Sequence, residues 1–334
     1  MKLKLFFKLW VIYALCCFPL FYFVYKYGTP DLGLKDFYDY YKLYSNWDID
    51  HVEAPFNMRI VSTFFVYLMN KAGFHYETAI AFDSIGLSKQ VFFNAVFFNY
   101  LCVVTTCTVL FFTIKKHFSD LLLSFTSGLI YLFGFGTLFY ELMPITDAFS
   151  ILVFSLVFYH YLNKSYLIIL PLIVLILQRE YIFLALGLIA LMDLWKTKEK
   201  YYLHTLVICI LCFASYFILR KTLFYTPKYD HQASPAYFLE SIVQIRFPLI
   251  PYIKQTLMTL NIYLIYLLVY IYKKYKKLEA DSFLFYKLLF LFLQINIISF
   301  AAVFGNNTGR YFYILVPVVI FGLVKESKLF LKNE

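Results

Sequence analysis

The chain has 334 residues, 62% of them hydrophobic and only 15% charged, and its formal net charge is +10. Soluble domains are about 45–50% apolar and about 25% charged, and disordered segments are less apolar still, so the composition excludes both classes. It predicts an integral membrane protein that forms one transmembrane domain over residues 1–334, with little room for a soluble domain.

The first predicted element is an apolar run that follows Lys2, Lys4 and Lys8. Lysines ahead of an apolar run are also typical of a secretory signal peptide. No cleavage site with small residues follows the run, and the chain continues through Tyr25 and Lys26. We therefore expect an uncleaved first transmembrane helix.

Further apolar runs follow, and a transmembrane helix needs about 20 such residues. Segment 166–195 is interrupted at its centre by Gln178, Arg179 and Glu180. Because a charged pair at mid-bilayer is costly, we expect two short spans joined by a tight turn here. The predicted fold is an all-α, polytopic transmembrane bundle of about ten spans. The candidate spans lie near residues 9–27, 91–114, 120–140, 147–162, 166–178, 181–195, 202–220, 256–272, 283–304 and 311–324.

The lysines indicate how these spans are oriented. With the N-terminus in the cytoplasm, the lysine clusters between spans fall on the cytoplasmic side, including the run KKYKK at 273–277. This is the positive-inside distribution, and treating 166–195 as a single span would place that run outside. We expect a multi-pass protein of the inner (plasma) membrane with both termini cytoplasmic. The positive charge thus indicates topology and not binding to nucleic acid.

The arginines are distributed differently from the lysines. Two long segments, 28–90 and 221–255, are predicted as outer loops, and all the arginines fall on that side or at the outer ends of spans. Arginine has a planar fork of N–H donors that binds phosphate or carboxylate in a bidentate way. The arginines are therefore candidate anion ligands, with ordinary interfacial anchoring as the alternative. They are Arg59, Arg179, Arg220, Arg246 and Arg310.

Acidic residues and tyrosines are concentrated in the first outer loop. Asp36 and Tyr40 are four residues apart and would share one face of a helix, with Asp39 as a close neighbour. A carboxylate beside aromatic walls can have a raised pKa and act as a general base. The alternative is a solvated acidic loop.

Two more carboxylates lie at the outer ends of predicted spans. Asp147 is the first residue of segment 147–162 and follows the helix-breaking Pro144. Its alternative role is to cap the helix that begins there. Glu180 adjoins Arg179, and a local ion pair is the alternative there. The middle of the spans has few ionisable groups, which argues against a proton-coupled transporter. No metal-ligand or nucleotide-binding motif with usable context is present, so we expect neither a metal nor a cofactor.

Several outer-side stretches together resemble the GT-C superfamily of membrane glycosyltransferases. KDFYDYYKLY at 35–44 is similar to the acidic motif of the first outer loop, and APFNMRIVSTFF at 54–65 is similar to the segment that follows it. The resemblance extends to MPITDAFSILVF, LQREYIF and GRYFYILVP, at 143–154, 177–183 and 309–317. It implies a polytopic enzyme that takes a sugar from a polyprenyl-phosphate donor at the outer face.

The resemblance also implies roles for single residues. Asp36, or its neighbour Asp39, would be the catalytic base in an inverting hexosyl or pentosyl transfer. The acceptor would be a glycan or glycolipid, and membrane lipids are the remaining partners. The implied substrate-binding residues are Arg59, Arg179 and Arg310 for the lipid phosphate, Asp147 and Glu180 for acceptor hydroxyls, and Tyr40 beside the base.

Two other functions are compatible with the same sequence. A polysaccharide polymerase or ligase of the O-antigen type also has about ten or more spans, outer arginines and lipid-linked substrates. A non-enzymatic transporter of lipid or sugar is the third hypothesis. Transfer of a single sugar favours the glycosyltransferase, and joined repeat units favour the polymerase.

Overall fold

The computed structural model describes residues 3–27, 32–53, 55–74, 76, 88–225, 261–303 and 308–331. All regular secondary structure within these ranges is helical, which confirms the predicted all-α class. Arg246 and most of the predicted outer loop 221–255 lie outside the described residues. The helices are α1 (Leu3–Tyr27), α2 (Leu32–Asn46), α3 (Ile60–Lys71), α4 (Lys89–Phe118), α5 (Leu121–Leu132), α6 (Asp147–Leu162), α7 (Ile169–Ile176), α8 (Tyr181–Thr197), α9 (Lys200–Thr222), α10 (Asn261–Tyr275), α11 (Ser282–Val303), α12 (Thr308–Tyr313) and α13 (Val316–Leu331).

Three of the described helices are long and apolar enough to cross a membrane. These are α1, α4 and α9, with 25, 30 and 23 residues. Shorter apolar helices include α5, α6 and the first part of α11. Helices of this kind are those expected of a membrane protein, while the count of about ten spans stays a prediction.

Two helix ends bear on the predicted spans. The break expected at 178–180 is present, since α7 ends at Ile176 and α8 begins at Tyr181. The candidate span 120–140 is not one continuous α-helix, because α5 ends at Leu132. Gly136 follows four residues later, and the ring of Tyr313 occupies the space that a side chain at Gly136 would need. The ring of Tyr313 from α12 therefore packs directly against the backbone at Gly136.

Helix α4 lies at the centre of the bundle. It packs against α1, α3, α5 and α6, and most of its side chains are buried. Its buried Asn99 donates from Nδ2 to the carbonyl oxygen of Ile145 at 2.8 Å and also to that of Met143. A buried amide needs such partners. The two bonds also fix the chain just before Asp147, the first residue of α6.

The bundle has two chemically different ends. Helices α6 and α8 run through it in the same direction, because α6 begins at Asp147, α8 begins just after the Arg179 that pairs with it, and the last turns of both helices line one cavity. This agrees with the separation of arginines from lysines expected from the sequence. The arginine end is defined by Arg59, Arg179 and Arg310, and the lysine end by Lys196, Lys287 and Lys325.

Close packing of α5 on α1 gives a first prediction. A Cβ atom at Gly128 would overlap the ring of Tyr13, with Cε1 at 2.7 Å. The Gly128→Ala exchange should therefore lower the free energy of unfolding by about 2 kcal/mol through overpacking, measured by unfolding of the purified protein in detergent. Gly187→Ala in α8 is the matched control, because the nearest atom to its Cβ would be 3.7 Å away. Equal stability of the two variants would contradict the packing described.

Candidate functional site

Two arginines and two aspartates form a continuous chain of ion pairs at the arginine end. Arg310 donates from Nη1 to Oδ2 of Asp36 and from Nε to Oδ2 of Asp147. The other oxygen of Asp147, Oδ1, pairs with Nη2 of Arg179. One guanidinium group thus joins two carboxylates that are 274 and 163 positions away in the sequence.

Arg59 lies against this group through a tyrosine. It donates from Nη1 to the hydroxyl of Tyr40, which also accepts a hydrogen bond from Oγ1 of Thr146 at 3.2 Å. The guanidinium carbon lies 5.6 Å from the ring centroids of both Tyr40 and Phe56, which is cation–π geometry. Burial, followed by the like charges of the other arginines, lowers the pKa of Arg59 to about 10, so it remains a cation at neutral pH. The arginine cluster comprises Asp36, Arg59, Asp147, Arg179 and Arg310.

Helix α2 is the element that places Asp36. Phe37, Tyr40 and Tyr44 are buried at intervals of three and four residues, so this face of the helix packs against the bundle. The same face brings the partly buried Asp36 into the arginine cluster, while Asp39 is exposed to solvent. Asp36 is thus a candidate base whose carboxylate contacts Arg310 directly.

Asp147 is placed by the start of α6. It is the first residue of that helix, where the positive end of the helix dipole favours a carboxylate. The N-cap position is Thr146, whose side chain makes no capping hydrogen bond. Capping by Asp147, the alternative considered from the sequence, is thus wrong. Its carboxylate points instead to two guanidinium groups.

Gln178 holds the turn that carries Arg179. Its Oε1 accepts a hydrogen bond from Oγ of Ser62 at 3.0 Å. Its Nε2 donates to the carbonyl oxygen of Thr146 at 3.0 Å and to Oγ of Ser150 at 3.2 Å. The sequence showed Gln178 only as an interruption of an apolar run, and it gave no signal for Ser62 or Ser150. These buried bonds tie the start of α3, the start of α6 and the α7–α8 turn together.

Burial and charge oppose each other at Asp36. Burial alone would raise the pKa of this carboxyl, but the ion pair with Arg310, supported by the charges of Arg59 and Arg179, holds the pKa below its ordinary value. The raised pKa expected from the aromatic neighbours is therefore wrong, because the sequence did not show the guanidinium beside them. Since the pKa is lower in the folded chain, the ion pair stabilises the fold at neutral pH. This stabilisation is lost as the pH falls below about 4.

The arginine cluster has hydrogen-bond donors that its own residues do not use. Arg179 Nε and Arg310 Nη2 are buried and make no hydrogen bond within the described part of the chain. Arg179 is only 2% exposed, so water does not readily satisfy it. A buried donor without an acceptor costs free energy, and an oxygen of a phosphate or carboxylate would relieve that cost. The geometry therefore suits an anionic ligand.

The remaining predicted site residues lie at the edge of the cluster or away from it. Glu180 is partly buried, and its charge is near enough to Arg59 to oppose the lowering of the pKa of Arg59. The sequence offered an ion pair between the neighbours Arg179 and Glu180 as the alternative role of Glu180. The ion pair that Arg179 makes in the structure is with Asp147. Arg220 is buried near the end of α9. Over the ranges that the structure describes, no three His, Cys, Asp or Glu side chains gather into a group that could hold a metal ion.

Comparison of the chain with known proteins gives no match to a family model, to a curated protein or to a solved structure. The resemblance of segments 35–44 and 309–317 to the GT-C superfamily therefore stays a prediction. The observation that bears on function is the arginine cluster itself.

Proposed function

We propose that the protein is a membrane glycosyltransferase that moves a sugar from a polyprenyl-phosphate donor to an acceptor hydroxyl at the outer face of the plasma membrane. The proposal includes a GT-C-like bundle of about ten spans with cytoplasmic termini and the arginine end outside. The observation that carries it is the contact between Asp36 and a buried network of guanidinium groups with unused donors. A carboxylate base and fixed cations for a phosphate are what this transfer requires.

The arginines supply the site for the leaving group. As the bond between the anomeric carbon and the phosphate oxygen breaks, negative charge grows on the lipid phosphate, and preorganised donors stabilise that charge. Arg179 Nε and Arg310 Nη2 are the buried N–H groups available for it. Arg59 adds a third cation that is held in place by aromatic rings.

Asp36 supplies the base. In the transfer, the oxygen of the acceptor hydroxyl bonds to the anomeric carbon, its proton passes to the Asp36 carboxylate, and the bonding electrons remain on the departing phosphate. Because the hydroxyl attacks from the side opposite the phosphate, the configuration at the anomeric carbon is inverted. While Arg310 pairs with Asp36, the lowered pKa makes the carboxylate a weak base. A donor phosphate that draws Arg310 towards itself would remove this restraint, and burial would then raise the pKa of Asp36.

The other predicted binding residues take different places in this scheme. Both carboxylate oxygens of Asp147 face guanidinium groups, so in the proposed site Asp147 positions Arg179 and Arg310. Glu180 is only partly buried and remains the candidate for hydroxyls of the acceptor. Tyr40 holds Arg59 beside the base through its hydroxyl.

The Arg310→Lys variant tests the role of the guanidinium fork. Lysine keeps the charge but cannot contact two carboxylates and a phosphate together. We expect transfer to fall about 10-fold, with a higher KM for the donor, since a charged hydrogen bond contributes about 1.5 kcal/mol. The measurement is transfer of labelled sugar from a synthetic polyprenyl-phosphate donor by the purified protein in lipid vesicles.

The control for that variant is Lys42→Arg, the reverse exchange at an exposed residue of α2 whose Nζ contacts the carbonyl oxygen of His51. It should transfer sugar at the wild-type rate. Unchanged kinetics in Arg310→Lys would contradict the phosphate site. The assay also separates the two enzyme classes, because a polymerase of the O-antigen type would yield joined repeat units and not a single added sugar.

A further inference from the structure

A cavity of about 340 Å³ lies at the lysine end of the bundle, far along the helices from the arginine cluster. The last turns of α4, α6 and α8 and parts of α11 and α13 surround it. Sugar transfer as proposed above uses none of its residues. It is lined both by charged groups and by apolar side chains.

The charged groups of the cavity are held by specific partners. Nζ of Lys287 lies 2.6 Å from Oδ1 of Asp193, whose Oδ2 accepts a hydrogen bond from the hydroxyl of Tyr161 at 2.5 Å. Nζ of Lys325 lies 2.5 Å from Oδ2 of Asp281. These contacts fix two ammonium groups at the wall of the cavity and leave each carboxylate neutralised.

A third ammonium group is added by Lys196. Its Nζ lies 4.1 Å from the ring centroid of Phe283, and Nζ of Lys287 lies 5.1 Å from the same centroid. Two positive charges therefore share one aromatic ring, and Lys196 is exposed. With three lysines and two aspartates at the cavity, one positive charge is in excess. Such an arrangement favours an anion.

Most of the remaining lining is apolar, beside His117, Thr197 and Tyr202. Phe158, Ile189, Val318 and Phe321 come from helices that continue into the bundle. A ligand that fits both parts of the cavity has an anionic phosphate ester at one end and a hydrocarbon chain at the other. Basic pockets between helices on the cytoplasmic side of membrane proteins bind headgroups of this chemistry.

We propose that the lysine-end cavity binds the phosphate ester headgroup of an anionic phospholipid from the cytoplasmic leaflet. Lys196, Lys287 and Lys325 surround the phosphate, and the apolar wall receives the first part of an acyl chain. The inference uses the membrane orientation given under the proposed function, but it does not depend on sugar transfer. A soluble phosphate ester has the same phosphate and lacks the chain.

The test is lipid binding by the purified full-length protein in detergent, followed by native mass spectrometry with added phosphatidylglycerol or phosphatidylcholine. The wild-type protein should bind phosphatidylglycerol at least about fivefold more tightly than phosphatidylcholine, as one lysine contributes about 1 kcal/mol to such binding. Lys196→Gln should remove most of this preference, and Lys196→Arg should keep it. Because Lys196 is exposed, these variants leave the packed interior intact.

The control is Lys276→Gln, which removes an exposed lysine from the same side of the protein without touching the cavity. It should bind phosphatidylglycerol as the wild type does. Equal binding of the two lipids, or equal effects of the Lys196→Gln and Lys276→Gln exchanges, would overturn the proposal. Full displacement of phosphatidylglycerol by glycerol phosphate at equal concentration would also overturn it, because a soluble ester would then be the ligand. None of these outcomes depends on whether the protein transfers sugar.

Discussion

Replacing Asp36 with asparagine should lower the rate of sugar transfer by at least about 100-fold, because asparagine cannot take the proton of the acceptor hydroxyl and a general base contributes that much or more. The loss should appear in kcat and not in the KM for the donor, since the arginines that hold the phosphate remain. Asparagine has the shape of aspartate and an oxygen that Arg310 can contact, so the variant should still fold and insert. The measurement is transfer of labelled sugar by the purified protein in vesicles.

The matched control is Asp39→Asn, which makes the same exchange on the same helix at an exposed position. We expect it to transfer sugar at close to the wild-type rate. Full activity in Asp36→Asn would exclude Asp36 as the base. An equal loss in both variants would show that the charge of α2 matters and not the contact between Asp36 and Arg310.

The largest expected effect on stability is that of Asp147→Asn. This carboxylate pairs with both Arg179 and Arg310 and is only 5% exposed. Its removal leaves buried guanidinium charge without compensation, which costs about 3–5 kcal/mol. We expect the free energy of unfolding to fall by at least about 3 kcal/mol, measured by denaturant unfolding of the purified protein in detergent.

Asp50→Asn serves as the control, because Asp50 is an exposed aspartate at the same end of the bundle. It should unfold as the wild type does. The double variant Asp147→Asn with Arg179→Gln should recover part of the lost stability, since it removes the Arg179 charge that Asp147 neutralises, while Arg310 keeps its pair with Asp36. Wild-type stability of Asp147→Asn would mean that the ion pairs do not hold the arginine cluster together.

The predictions for Asp36→Asn and Asp147→Asn both depend on Arg310. No local pattern in the sequence connects Arg310 with α2. From the sequence, the aromatic neighbours of Asp36 indicate that the pKa of its carboxyl can be raised. It is lowered because Arg310, from the other end of the chain, contacts the carboxylate. A helical pattern predicts which side chains share a face, and it carries no information on what another helix brings to that face.

The sequence also gives no signal for the hydrogen bonds of Gln178 with Ser62 and Ser150, for the same reason: the partners are distant in the sequence. Gln178 bonds to Ser62, Thr146 and Ser150, and none of these is near it in the sequence. Serines are common in apolar helices, where they often bond to their own backbone, so their presence does not predict a partner. The one local signal was a polar residue next to Arg179 in an apolar run.

The sequence by itself determined the helical class, the presence of helices long and apolar enough for a membrane, the break at 178–180, and the separation of the arginines from the lysine clusters. These follow from composition and local periodicity. In an apolar environment, backbone N–H and C=O groups must find hydrogen-bond partners within the chain, as they do in a helix, and charged side chains are favoured at the helix ends. Only the tertiary structure decided which carboxylate meets which arginine, and that three lysines surround a cavity at the other end. Those contacts join residues up to 274 positions apart, and their energies depend on burial and distance, which the order of residues does not state.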